Sequence, residues 1–329
     1  MPPARPGRSV ARMYRLFAAL AAMLAGVPAT AQAPEQASTA PPSAAPAAEP
    51  PMPTEAEVMA IGSDQPGRMT VPVVIAGRGP YPFTIDTGAE RTVVSRELAR
   101  LLALQKGRDV RLTAMTGASI VGTVRIPTLS MSSVVSSRIE APALEGVHLG
   151  APGLLGLDSL QGHAVSIDFD KGEMAVRKSR RRNRGGGEPV VPGEIIVSAR
   201  SLFGQLIVSE AFYRGQRVRV VIDTGSAVSM GNLAMRARVM RAKERVVPIT
   251  VTGVTGESMT ADYTQIGEVM FGGVTFQNLP VAFADAAPFK RLGLENKPAL
   301  LLGMDALKLM RKVDIDFVNR EIRVALPAA

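Results

Sequence analysis

Asp86 and Asp223 each follow an apolar run and stand directly before Thr-Gly, in FTIDTGAERTVVS (residues 83–95) and VRVVIDTGSAVSM (residues 218–230). Taken singly, Asp-Thr-Gly is an ordinary strand-ending turn, because Asp bonds its own backbone and Gly accepts positive φ. Two of them in one chain permit more. Strand-end carboxylates on paired copies can meet across a pseudo-twofold axis. Two like charges within hydrogen-bond reach cannot both ionise, so such a pair holds one proton and offers an acid beside a base. It can deprotonate a water, drive it onto an amide carbonyl and protonate first the oxygen and then the leaving nitrogen. Gly88 and Gly225 let backbone amides approach the carboxylates, and Thr87 and Thr224 bring hydroxyls that can bond across the axis.

Other chemistry has little to draw on. The chain has no cysteine, which removes thiolate nucleophiles, thiolate metal sites and disulfides. Its two histidines, His148 and His163, stand in no ligand spacing, and both read as structural or solvated. There is no Gly-x-Ser-x-Gly elbow and no phosphate loop. No metal and no cofactor is expected. Asp158 and Asp305 precede helix-like steps and read as caps. Asp168 and Asp316 read as structural.

A finer expectation follows from Ser226, which stands after the second triplet where Ala89 stands after the first. Its hydroxyl would donate to Asp223 and so place the negative charge there, leaving the proton on Asp86.

The elements that position these acids occur twice. In each copy an apolar strand reaches Asp-Thr-Gly. A Thr-Gly pair follows between strand-like runs, Thr116-Gly117 and Thr255-Gly256, 31 and 33 residues from Asp to Gly. Then GLLGLDSLQGHAVSIDFDKGEMAV (153–176) matches LLLGMDALKLMRKVDIDFVNREIRV (300–324) in Leu-Leu-Gly-x-Asp, a helix-like step, Ile-Asp-Phe and a closing strand. Agreement in order, type and spacing marks an internal duplication. SRELARLLAL (95–104) reads as a helix with Ser95 as N-cap and Leu98, Leu101 and Leu102 on the core face. A weaker counterpart starts at Asn232.

The formal net charge of +9 suggests nucleic acid or an anionic membrane. Removing the clusters Arg5, Arg8, Arg12, Arg15 and Arg177, Lys178, Arg180, Arg181, Arg182, Arg184 leaves −1, so the folded body is near neutral. The first cluster precedes LFAALAAMLAGV (16–27) and the small residues Ala29 and Ala31. That apolar stretch is well short of the roughly 20 residues of a membrane span. Residues 1–31 are therefore expected to be a removed secretory signal, with export to a periplasm or beyond. Residues 32–57, rich in Pro and Ala, read as a disordered tether. Residues 58–178 form a first lobe, 179–193 a basic Gly-rich linker and 194–329 a second lobe.

Asp-Thr-Gly-Ala at 86–89, Asp-Thr-Gly-Ser at 223–226, and the later Leu154-Leu155-Gly156 and Leu301-Leu302-Gly303 together resemble the retropepsin-like aspartic proteases. The similarity is greatest to exported bacterial members with two repeats in one chain, and it covers about residues 68–326. The resemblance implies an all-β fold of two barrel lobes, in each of which the Leu-Leu-Gly strand passes beside the Asp-Thr-Gly loop. It also implies flap hairpins tipped by 115–119 and 254–258, with Thr116, Gly117, Thr255 and Gly256 facing an extended peptide bound as an added strand. Neither tip carries the tyrosine of pepsin-type flaps; Tyr263 lies seven residues past Gly256.

The expected activity is peptide-bond hydrolysis by Asp86 and Asp223, with peptide or protein substrates. No nucleic-acid partner and no membrane span after signal removal are expected, and one monomer would form a single site. The competing readings are a peptide-binding or scaffolding module without turnover, and pairing of each repeat with a repeat of another chain.

Overall fold

The structure, a computed structural model, describes residues 57–60, 69–131, 134–182, 193–241 and 245–327. The expected signal, nearly all of the tether and residues 183–192 of the linker lie outside the described residues.

Short runs of Val, Ile and Thr form strands because branched side chains pack well on a pleated surface. Thr70–Ile75 shows the period of two, with Val71, Val73 and Ile75 buried and Pro72 exposed between them. Six strands of the first repeat close into a barrel. Their order is Thr70–Ile75, Arg78–Ile85, Gly153–Leu155, Val93–Ser95, Val134–Leu144 and Thr123–Met131, and the last pairs back onto the first. The second repeat lays its strands in the same order: Gln205–Tyr213, Gln216–Ile222, Ala299–Leu302, Met230–Gly231, Leu279–Phe283 and Ser258–Ile266. It stays open, because Gln205–Tyr213 continues to Val269–Phe271 instead of returning to Ser258–Ile266. The expected two all-β lobes are thus one closed barrel and one half-barrel.

A third sheet joins the lobes. Its order is Glu57–Ala60, Glu173–Lys178, His163–Asp168, Lys312–Asp316, Glu321–Ala325 and Glu194–Ser198. At its centre the two Ile-Asp-Phe strands run antiparallel, with Val165 opposite Ile315 and Ile167 opposite Val313. All four side chains are buried, so the seam is part of the main apolar core. Each repeat therefore pairs with the other within one chain.

Two sequence expectations need correction here. Ser95 does cap the helix Arg96–Leu101, its Oγ accepting Leu98 N–H at 3.0 Å, but Leu101 is 61 % exposed. Leu98 and Ala99 are the buried residues and Leu102 packs beside them, which centres the buried face about 100° around the axis from Leu101. The counterpart helix, Leu233–Arg241, is the longer of the two. Asn232 Oδ1 accepts Met235 N–H at 2.8 Å at its start, and Met235 and Val239, one turn apart, are fully buried.

The linker also departs from expectation at its start. Ser179 Oγ donates to Asp316 Oδ1 at 2.8 Å, and Arg182 donates to Asp316 Oδ2 at 3.0 Å and to Glu321 Oε2 at 3.1 Å. Residues 179–182 are therefore anchored to the second lobe and are not a solvated hinge.

Candidate functional site

Asp86 and Asp223 leave the ends of Arg78–Ile85 and Gln216–Ile222, the strands flanked by the Leu-Leu-Gly strands. Gly153–Leu155 runs parallel to the first, Leu155 beside Ile85, and Ala299–Leu302 parallel to the second, Leu302 beside Ile222. Asp86 N–H donates to Leu155 O and Asp223 N–H to Leu302 O, both at 3.0 Å. Both glycines that follow sit under crossing chain: a Cβ at Gly156 would lie 2.7 Å from Thr92 N, and one at Gly303 2.8 Å from the Val228 carbonyl carbon. The Leu-Leu-Gly step is thus a steric requirement of the crossing.

The two loops interlock. Thr87 N–H donates to Thr224 Oγ1 and Thr224 N–H to Thr87 Oγ1, both at 3.1 Å. Each hydroxyl in turn donates across the boundary at 2.9 Å, Thr87 to Ile222 O and Thr224 to Ile85 O. All four bonds join one repeat to the other and both threonines are buried. A Cβ at Gly88 would lie 2.7 Å from Asp223 Oδ1, and one at Gly225 would overlap the Asp86 carboxyl group. Each acid therefore lies against the glycine of the opposite triplet, a position that only glycine permits.

Each acid accepts main-chain N–H groups of its own turn. Asp86 Oδ1 accepts Gly88 N–H at 2.8 Å and Ala89 N–H at 2.9 Å. Gly225 N–H donates to Asp223 Oδ1 at 3.1 Å, and Asp223 is 5 % exposed while Asp86 is half-buried. Ser226 does not serve Asp223 as expected: its hydroxyl donates its one hydrogen to Val228 O at 2.7 Å. The local turn captures it first.

The expected flap residues occupy hairpin turns. Thr116 and Gly117 lie at the tip joining Val110–Ala114 to Gly117–Val121, and Thr255 and Gly256 at the tip joining Val247–Thr252 to Ser258–Ile266. The tips touch through Thr116 Oγ1, which donates to Glu257 Oε2 at 3.2 Å. Each tip also reaches the opposite lobe. Met115 packs on the second lobe's cluster of Ala284, Ala286 and Phe289, and its carbonyl accepts Ala287 N–H at 3.0 Å. Val254 packs on the first lobe's cluster of Val93, Leu149 and Leu154. Gly256, at φ +86°, lies against the His148 ring, where a Cβ would come 2.5 Å from Nε2. Tyr263 lies down the hairpin, paired with Val247.

The other acids are structural, and of the two beside helix starts Asp305 also accepts a first-turn N–H, that of Ala306 at 2.8 Å. Asp158 Oδ1 accepts Thr92 N–H at 2.8 Å and Thr92 Oγ1 at 2.7 Å. Asp305 takes Ser229 N–H at 3.0 Å and Ser229 Oγ at 2.7 Å in the same way. They tie the crossing chain to the helix after Leu-Leu-Gly, and the positions before those helices are Gly156 and Gly303. Asp168 and Asp316 tighten hairpin turns, accepting Lys171 N–H at 3.0 Å and Asn319 N–H at 2.9 Å. His163 Nδ1 sits 3.1 Å from Gln161 O. Among the described residues no group of three or more His, Asp or Glu is placed to hold a metal ion, and no helix is long and apolar enough to cross a membrane.

Sequence reasoning missed Gln205. It stands at the head of the strand Gln205–Tyr213, is 7 % exposed, and donates through Nε2 to the carbonyl of Gly88 in the opposite lobe. It lies outside the duplicated skeleton, so no repeat signal marked it.

Two family models match the chain, one in each repeat. Residues 71–162 match the model described as "gag-polyprotein putative aspartyl protease", and residues 210–306 match that described as "Aspartyl protease". No curated protein matches the chain. Each matched span contains one Asp-Thr-Gly loop and its Leu-Leu-Gly strand, and the two repeats interlock through Thr87 and Thr224: the chain belongs to the retropepsin-like aspartyl proteases, with two repeats in tandem in one polypeptide.

Proposed function

We propose that this protein is an endopeptidase in which Asp86 and Asp223 share one proton and activate a water between them. The carrying observation is the reciprocal packing of each carboxyl group against the other triplet's glycine, fixed by the four threonine bonds. Asp86 Oδ1 accepts two main-chain N–H groups of its own turn, and Asp223 lies buried across the boundary from it. We assign Asp86 as the base and Asp223 as the acid, because the Ser226 hydroxyl is committed to Val228 O and does not support the reverse assignment.

Asp86 takes a proton from water as the water oxygen bonds the scissile carbonyl carbon, and Asp223 gives its proton to the carbonyl oxygen. The resulting gem-diol collapses with proton transfer from Asp86 to the nitrogen, the C–N bond breaks, and a diol proton returns to Asp223. The substrate is an extended peptide lying between the dyad and the hairpin tips. Export directed by residues 1–31 belongs to the same proposal, and amino-terminal sequencing of the mature chain should begin at Gln32.

The test is digestion of a mixed peptide pool, read by mass spectrometry, with wild type, Asp86→Asn and Asp223→Asn. Cleavage by wild type and loss of at least about 1,000-fold in both variants is expected, since neither acid works alone. Turnover surviving in either variant overturns the shared mechanism. Binding without cleavage by wild type would assign the fold to peptide recognition.

A further inference from the structure

Gln205 belongs to a clamp that the second lobe closes on the first Asp-Thr-Gly loop. Leu202 pairs with Gln205 across a two-residue turn, Phe203-Gly204, with φ of +50° and +88°. Both residues being left-handed gives the tight hairpin that turns the chain back at this edge. Gly204 takes a φ that L side chains rarely adopt, and a Cβ there would press on Gln161 Nε2 at 2.9 Å and Leu157 Cδ1 at 3.1 Å in the first lobe. Beside it, the Arg291 guanidinium lies 4.2 Å from the centre of the Phe203 ring and donates to Glu90 at 2.9 Å and 3.1 Å. The loop that carries Asp86 is thus gripped at Glu90 by a charge pair and at Gly88 by the Gln205 amide.

The second grip has an electronic consequence. Gly88 C=O and Ala89 N–H belong to one peptide unit, and that N–H donates to Asp86 Oδ1 at 2.9 Å. A donor on the carbonyl oxygen polarises the unit and strengthens the donor at its other end. We propose that Gln205 is a positioning residue for the dyad, acting on Asp86 through the Gly88–Ala89 peptide so that Asp86 holds the negative charge. The inference rests on the two-acid reading of the site and adds to it a group that acts on one acid from the opposite lobe. Among the described residues, the charged groups on or against this loop include Asp223 across the boundary, Glu90 with its partner Arg291, Arg91 on the same loop, and Asp158, whose N–H donates to Glu90 O. None of them is altered by changing Gln205.

The experiment compares wild type with Gln205→Met, which keeps length and packing without a donor, and Gln205→Glu, which places a carboxylate against the Gly88 carbonyl. Carboxyl carbon NMR of aspartate-labelled protein follows the titration of Asp86 and Asp223 independently of turnover, and the pH profile of kcat/KM is recorded in parallel. In Gln205→Met the lower titration midpoint of the pair should move upward by about 0.1 to 0.7 on the pH axis, given that cooperative strengthening is ~10–30 % of one bond to a charged group. The acid limb of kcat/KM should move with it while KM stays within about two-fold, and Gln205→Glu should move both further.

A role in stability alone would lower the melting temperature and scale the rate equally at every pH. Unmoved midpoints in both variants overturn the proposal, as does failure of both to fold. Shifted midpoints in a protein whose wild type cuts no peptide would uphold the coupling and reject the endopeptidase reading. Unshifted midpoints in an active enzyme would do the reverse.

Discussion

Thr87 and Thr224 exchange main-chain and side-chain bonds across the boundary between the repeats, each hydroxyl accepting the other's N–H at 3.1 Å and donating to a strand carbonyl of the opposite repeat at 2.9 Å. The positions of the two carboxyl groups are set by this exchange, because Asp86 and Asp223 immediately precede the threonines and have no freedom to separate while it holds.

Thr87→Val keeps the shape and removes the hydroxyl. It leaves Ile222 O without its donor and Thr224 N–H without its acceptor, both buried, so a loss of about 2–5 kcal/mol in urea unfolding is expected. Thr87→Ser retains both bonds and should cost only about 1 kcal/mol for the lost methyl. Equal losses in the two variants would show that packing, not the bond exchange, holds the loops.

Gly225→Ala tests the approach of the acids directly. The added Cβ would overlap the Asp86 carboxyl group and push the loops apart. Peptide cleavage should fall by about 100-fold or more, since displacement of about 1 Å has that effect on oriented groups, with about 1–3 kcal/mol lost in stability. Gly122→Ala is the control, as its nearest neighbour would be Asp109 Oδ1 at 3.7 Å. It should change stability by no more than about 0.5 kcal/mol and leave cleavage intact.

Much of this site was legible because the information is repeated in the chain. Asp86 and Asp223, their threonines and the Leu-Leu-Gly strands recur in order, and a repeated strand end implies a symmetric meeting of like groups. The hairpin tips at Thr116 and Thr255 were placed by the same repetition. What was not legible depends on contacts distant in sequence. Asp158 and Asp305 look like caps because they stand beside helix starts, and Asp305 does accept Ala306 N–H, yet both also bond partners, Thr92 and Ser229, more than 60 residues away. Ser226 was misread for the opposite reason, since its nearest carbonyl, Val228 O, outcompeted a partner that only the fold brings close. Gln205 carries no signal at all until the two lobes are placed together.

Asp316 gives a pH dependence with a definite sign. Burial pushes its carboxyl upward, but the Asn319 side chain, the Asn319 N–H, the Ser179 hydroxyl and the Arg182 guanidinium outweigh it and hold the group below its ordinary value. A carboxyl depressed on folding contributes stability above its unfolded value of about 3.9 and loses it as the pH falls through the folded value. The urea midpoint should therefore decline as the pH is lowered from about 5 to below 3, and Asp316→Asn should flatten that decline while costing about 1–3 kcal/mol at neutral pH. An unchanged slope in the variant would assign the acid sensitivity to other groups.

On the proposed peptide-cleaving role, the hairpin tips would set how a peptide enters. Met115 seats in the second lobe's apolar cluster and Val254 in the first lobe's, so each repeat's flap is held by the other repeat, and the Thr116 to Glu257 bond joins the tips. On that role an extended peptide reaching the dyad would have to part these contacts, and their strength would be subtracted from its binding energy. Met115→Ala removes about 1–2 kcal/mol of apolar contact. Amide exchange over Gly117–Val121 should quicken by roughly 5- to 30-fold if opening is local and reversible, because the open fraction rises with the lost docking energy. Ile120→Ala on the same hairpin alters a side chain that is 68 % exposed and should leave exchange unchanged. A weaker closed state should also lower KM with little change in kcat. If exchange quickens while KM rises, the closed tips are part of the bound state and not a barrier to it. If neither exchange nor KM changes, the hairpin is held by its base, and Met115 is a passive contact.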